Sequence, residues 1–168
     1  PLILVGLVLL SGRWSLVQAG EDPSDRYFAL LQEQPGNSYL YERFYQAWLD
    51  TKTVEQLEIF LKANLDRQKD IGSRLLLTLF YERQGQDAKA LELARDVPAG
   101  SPVTCEYLFH RARIEARNLN FESAISDLVE ARGLSCPGQT VEKASRLLGE
   151  LYIRTNQKDK AAALWRQL

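Results

Sequence analysis

Residues 142–168 read EKASRLLGELYIRTNQKDKAAALWRQL. Within them Leu148-Gly149 is followed by Tyr152, and then by Ala161 and Trp165. This is the spacing L-G-x2-Y…A-x3-aromatic, the mark of two helices joined by a tight turn in a repeat of about 34 residues. The chemistry behind the spacing is steric. Gly149 and Ala161 are small where the two helix backbones must approach, and Leu148, Tyr152 and Trp165 are large where space remains between hairpins.

Counting from Glu142 as the first position, the same frame extends backwards over the preceding hundred residues. A frame from Cys105 puts Ala112, Ala124, Leu128 and Ala131 at the small and apolar positions, but Arg111 and Glu115 where large apolar residues are expected. A frame from Ile71 fits well through Leu77, Tyr81, Ala90, Ala94 and Val97, with Thr78 at a small position. A frame from Ser38 uses Phe44, Tyr45, Trp48, Leu57 and Leu61. Tyr45 and Leu57 are bulky where small residues belong, so this hairpin must splay or pack differently. The starts are 33, 34 and 37 residues apart, the last step absorbing an insertion around residues 133–139.

Local signals agree. Thr53-Val54-Glu55-Gln56 predicts a capping box ahead of Leu57, Phe60 and Leu61. Gly85, Asn120 and Asn156 are the residues expected at hairpin turns, because Gly and Asn tolerate left-handed or capping geometry. Pro98, Pro102 and Pro137 stop helices between hairpins. DRYFALLQEQ at 25–34, between Pro23 and Pro35-Gly36, predicts a helix that caps the first hairpin or forms half of a degenerate repeat.

Residues 38–168 resemble the tetratricopeptide repeat family, most specifically over the last repeat. The resemblance implies an all-α fold: a right-handed α-solenoid of antiparallel helix hairpins, about four repeats (38–70, 71–104, 105–141, 142–168), after a linker and capping helix at 20–37. It also implies a concave groove lined by the first helix of each hairpin that binds a peptide or protein segment. The alternative fold is a helical bundle whose periodicity is accidental.

Residues 1–10 (PLILVGLVLL) form an apolar run too short to span a bilayer. Val17-Gln18-Ala19 before Gly20 fits a signal-peptidase site, so residues 1–19 are expected to be a signal peptide and the protein to be exported to the periplasm, the bacterial envelope or beyond. A membrane anchor and a buried first helix are the alternatives. The chain has no Met and starts at Pro1 inside that apolar run, which makes a piece of a longer product the expectation. Export places the two cysteines, Cys105 and Cys136, where disulfides persist. In the repeat frame they mark neighbouring ends of one hairpin, so a bridge between them is the expectation and two independent thiols the alternative.

Lys and Arg number 21 against 22 Asp and Glu, a balance that offers no overall field for nucleic acid or anionic membrane. There is one His, His110, with no metal-binding spacing around it and no glycine-rich phosphate loop anywhere. The expectation is therefore no enzyme, no metal and no small-molecule cofactor, with His110 half-exposed and without a special role. Inward-facing helix positions in the last two frames are rich in Phe109, Arg113, Arg117, Lys143, Arg146 and Arg154, with Arg83 from the frame before. These are the candidate ligand-binding residues. Their chemistry suits an acidic peptide or a C-terminal carboxylate, since Arg is a planar bidentate donor. The competing reading is a charged face that is solvated or paired with nearby Glu at i,i+4. At the level of function the expectation is an interaction scaffold. The alternatives are an oligomerisation module that self-associates through an open C-terminal repeat, or an accessory segment of a longer protein with an enzyme domain downstream.

Overall fold

The computed structural model describes residues 22–97, 100–101 and 103–167. The signal-peptide reading of 1–19, the stops at Pro98 and Pro102, and the terminal Leu168 all lie outside the described residues. Among those described the secondary structure is entirely helical: α1 (Pro23–Glu33), α2 (Ser38–Leu49), α3 (Val54–Gln68), α4 (Ile71–Arg83), α5 (Asp87–Leu93), α6 (Thr104–Arg117), α7 (Phe121–Gly133), α8 (Gly138–Arg154) and α9 (Lys158–Trp165).

Three of the turns are built identically. After α4, α6 and α8 the chain passes through a left-handed residue: Gly85 (φ 67°), Leu119 (φ 64°) and Asn156 (φ 60°). At each, two backbone N–H groups fold back to satisfy orphan carbonyls at the helix end. Gly85 and Gln86 donate to Glu82 and Tyr81, Leu119 and Asn120 to Ala116 and Glu115, and Asn156 and Gln157 to Ile153 and Tyr152. This paired pattern is the Schellman helix stop. Asn120 lies in the turn as expected, one residue past the left-handed position, and is the N-cap of α7 without a side-chain cap hydrogen bond. The strained position falls on Leu119, whose side chain is 66% exposed.

Small residues sit where hairpin backbones close. Ala90, Ala112, Ala124 and Ala144 have no exposed surface. A Cβ at Gly149 would run into the Trp165 indole, 2.8 Å from Cε2. Thr78 fits a small position because its hydroxyl donates to Arg74 O (2.9 Å) rather than competing for space.

The first hairpin departs from this plan, for a visible reason. Successive helices pack against one another from α3 to α9, and α1 packs on α2, yet α2 and α3 are held apart. Between them lie aromatic rings: Phe60 of α3 packs at a tilt on Trp48 (4.8 Å between centroids) and Phe44 (6.4 Å), and edge-to-face on Phe28 of α1 (4.7 Å). The turn before α3 carries the capping box at Thr53 and Gln56 instead of a left-handed residue.

Two buried clusters make the interior. One gathers side chains from α1 to α5 together with Tyr107 and Ile114 of α6; the other gathers Phe109, Ala112 and Ala116 of α6 with α7, α8 and α9. Helix α6 is thus the wall shared by both. Its off-pattern Arg111 differs from an ordinary filler. Arg111 reaches back with Nε and Nη2 to both oxygens of Asp127 (2.7 Å each) and with Nη1 to Ala94 O (3.1 Å) at the end of α5. A half-buried ion pair occupies the place of a large apolar side chain. Cys105 and Cys136 are joined in a disulfide, Cα–Cα 5.8 Å, tying the start of α6 to the segment before α8. The three extra residues of the last step are taken up by the length of α8, 17 residues.

Candidate functional site

The contacts of α4 with α6 and of α6 with α8 place alternate helices side by side. Their N-terminal ends converge on the α1–α2 connection. Pro35 lies against Gly72 of α4, where a Cβ would come within 2.9 Å of its Cγ, and Gly36 lies against the Glu106 side chain of α6, 2.7 Å from Cγ for the same reason. Lys143 of α8 reaches the same loop, donating to Ser38 Oγ (3.1 Å).

Beside that loop is a cleft of about 360 Å3 formed across α2, α4 and α6. Its lining includes Tyr41, Glu42, Glu82, Arg83, Arg113 and Arg117. At its base is Glu82, whose side chain is 2% exposed. Three groups converge on this carboxylate: His110 Nδ1 at 2.7 Å, Arg113 Nε at 2.5 Å and Arg117 Nη1 at 3.9 Å. Burial pushes the carboxyl up, but the hydrogen bonds from His110 and Arg113 outweigh it and bring the pKa down to about 2. His110 is itself buried, which corrects the half-exposed expectation. Its burial lowers the imidazole pKa against the opposing pull of Glu82, so the ring is neutral near pH 7. A neutral ring facing a carboxylate must carry its proton on Nδ1 and donate it to Glu82 Oε2.

The other cations of the cleft are also engaged. Arg83 makes a bidentate pair with Glu42 and stacks over Tyr45, 4.0 Å from its centroid. Arg117 pairs with Asp87. Arg113 spans the Phe109 ring at 5.6 Å. Among the described residues, the Tyr41 hydroxyl is a buried polar atom of this wall without a hydrogen-bond partner, on a residue 6% exposed. Burial raises its pKa above the ordinary phenol range, so it is a hydroxyl donor at any working pH.

Of the candidate residues read from sequence, the structure gathers Arg83, Arg113 and Arg117 around this cleft, while Phe109 belongs to the buried cluster beneath Arg113. Lys143 stands at the rim on the Ser38 side. Arg146 pairs with Glu142 one turn back, and Arg154 lies over the Phe121 ring at 4.7 Å; neither lines the cleft. The candidate set read from sequence did not include Tyr41, Glu42, Glu82 or His110, although Glu42 and Glu82 fall on the inward face in the frames from Ser38 and Ile71. Each lies one frame ahead of an inward Arg, so the acids meet the bases of the next hairpin rather than of their own helix.

Among the described residues no group of His, Cys, Asp and Glu is arranged to hold a metal ion, and no helix is long and apolar enough to cross a membrane. Comparison with family models, with curated proteins and with solved structures finds no match to this chain.

Proposed function

We propose that this protein is a non-catalytic interaction scaffold, a short right-handed solenoid of tetratricopeptide-like hairpins that holds a polypeptide segment in the cleft across α2, α4 and α6. The observation that carries this reading is the cleft itself: about 360 Å3, walled by helices of three successive hairpins, with a buried Tyr41 hydroxyl left without a partner. Buried polar groups rarely go unsatisfied, and a ligand carbonyl would accept that hydrogen bond. The recurrence of one turn design at Gly85, Leu119 and Asn156 supports the repeat reading.

The ligand favoured by this lining is of mixed polarity. Arg83, Arg113 and Arg117 already carry Glu42, Glu82 and Asp87, so little uncompensated positive charge faces the cleft. A uniformly acidic peptide would have to displace those carboxylates. The disulfide supports placing the protein in an oxidising compartment outside the cytoplasm.

The test is binding of fluorescent peptide pools (acidic, basic and mixed) to the chain and to its Tyr41→Phe and Arg117→Glu variants. Retention of the mixed pool, weakened in both variants, is the expected result. Retention of no pool, or equal retention by all three proteins, overturns the proposal. Light scattering on the same samples separates peptide binding from self-association.

A further inference from the structure

On the other side of Gly36 from the main cleft is a second, smaller cavity of about 250 Å3. Gln34, Asn37, Glu106, Pro137, Gln139 and Thr140 surround it. Glu106 is its one charged group. Oε1 accepts from Thr140 Oγ1 (3.2 Å), while Oε2 is buried and has no hydrogen-bond partner. The side chain as a whole is 7% exposed, and no ion pair reaches it among the described residues. The cation that comes to this loop, Lys143, is spent on Ser38. A buried carboxylate oxygen without a donor is costly to maintain, and its neighbours here are amide side chains with carbonyl oxygens to offer.

We infer that this cavity is a subsite for a primary ammonium group, a lysine side chain or the free amino terminus of the bound polypeptide. The inference rests on the proposed peptide-binding role and names the group that anchors the peptide. Three physical arguments select the ligand. A divalent metal needs several oxygen ligands, commonly more than one of them a carboxylate, and this cavity offers one carboxylate. A guanidinium seeks both oxygens in a bidentate fork, but Oε1 is engaged with Thr140 and covered by Gly36. An ammonium needs a single charged acceptor plus one or two neutral ones, which Oε2 supplies with the Gln139 side-chain carbonyl and with the second lone pairs of Gln34 Oε1 and Asn37 Oδ1, whose first lone pairs accept from Asn37 Nδ2 and Leu40 N. The rim residues Gln34, Pro137 and Gln139 are exposed, so a small movement there uncovers Oε2 to a slender alkyl chain. The Cys105–Cys136 bond lies one residue from Glu106 on one wall and one residue from Pro137 on the other, holding the two walls together.

The experiment uses the whole chain and two probes. The first is n-butylammonium, followed by amide shifts of Gly36, Gln139 and Thr140 in a heteronuclear NMR titration. The second is a pair of N-acetylated peptides differing only in one lysine or acetyl-lysine, drawn from the pool retained by the chain. The expected result is saturable butylammonium shifts at those amides, and lysine peptide bound about tenfold or more tightly than its acetylated twin, the ratio set by one charge-assisted hydrogen bond. Both effects are expected to disappear in Glu106→Gln, whose fold is checked by circular dichroism. Equal binding of the two peptides with no butylammonium shifts overturns the subsite while leaving the peptide-binding role standing. Butylammonium shifts lost in Glu106→Gln, with no peptide bound by the chain, support the subsite and overturn the peptide-binding role instead. Shifts that survive in Glu106→Gln overturn the assignment to this carboxylate, and a response to calcium chloride at the same amides but not to butylammonium overturns the choice of ligand.

Discussion

Replacing Glu82 by Gln isolates the electrostatic centre of the cleft. In the folded chain this carboxylate has a pKa of about 2 against an ordinary 4.5, because hydrogen bonds from His110 and Arg113 outweigh the penalty of its burial. At about 1.4 kcal/mol per pH unit, that difference is worth about 3 kcal/mol of folding stability. Gln keeps the shape and can still accept the Nδ1–H of His110. It removes the acceptor charge from Arg113, which at 46% side-chain exposure can turn to water. The cost therefore sits at the lower end of the ~3–5 kcal/mol for breaking a buried pair, near 3 kcal/mol, or about 9 °C in Tm for a chain of this size. The sign with pH follows from the depressed folded pKa. The contribution is fully present above the unfolded pKa of about 4.5 and is lost as pH falls toward about 2. His110 acts in the same direction at a higher pH. Its folded pKa lies below 6.5, so the unfolded chain binds that proton first and stability falls as pH drops below 6.5. Urea denaturation of wild type and Glu82→Gln from pH 7 to pH 2.5 measures the gap directly, and the single imidazole resonance of the chain reports His110. A gap that is absent at pH 7, or that stays constant down to pH 2.5, refutes the reasoning, as does an imidazole that titrates above 6.5.

Three further perturbations address the scaffold. Opening the Cys105–Cys136 bond, which spans 31 residues, is expected to cost about 3–4 kcal/mol by chain entropy, or about 10 °C in Tm by calorimetry with and without reductant; equal Tm values would show that the bond does not constrain the unfolded chain. Gly149→Ala forces a methyl into the Trp165 indole, costing about 1–3 kcal/mol of overpacking against about 1 kcal/mol regained in helix propensity. Trp165→Ala should make the same substitution neutral or stabilising, and an unchanged penalty in that background would show that Trp165 is not the obstacle. Leu119→Gly relieves a left-handed conformation on an exposed residue and is expected to stabilise by about 0.5–1 kcal/mol in chemical denaturation, whereas any loss would mean that the Leu119 side chain contributes contacts.

What could be read from the amino acids and what could not divide along a physical line. Helices, their turns and their closest approaches are written in residue size and backbone freedom, both local properties. Gly149 against Trp165 and the left-handed Gly85 and Asn156 were therefore visible as a spacing. The misfit of the first hairpin was half legible: Tyr45 and Leu57 are too bulky for the small positions, but the rings between α2 and α3 are Phe44, Trp48 and Phe60, and Tyr45 turns to Arg83 and Gln84 at the end of α4. Leu119 was not legible, because the turn geometry shared with Gly85 and Asn156 places a left-handed residue there whatever its side chain prefers, and the neighbouring Asn120 offered the more attractive local signal. The cleft was only half legible. Its cations could be assigned to an inward face by register, but whether a charge on that face is available to a ligand depends on what the adjacent hairpin sets opposite it. Glu42 meets Arg83 across 41 residues, and Glu82 meets Arg113 across 31. An i,i+4 search along one helix cannot find such pairs; a search among all the inward positions of successive frames can. The same geometry explains why Glu106 stands out. It occupies an inward position near the start of α6, as Lys143 does in α8, yet Lys143 turns to Ser38 and Gly36 closes over the carboxylate from the other side. Neighbouring helices elsewhere bring acid and base together, yet among the described residues this buried carboxylate oxygen is left without a donor, so the donor most consistent with the fold is one that arrives with a ligand.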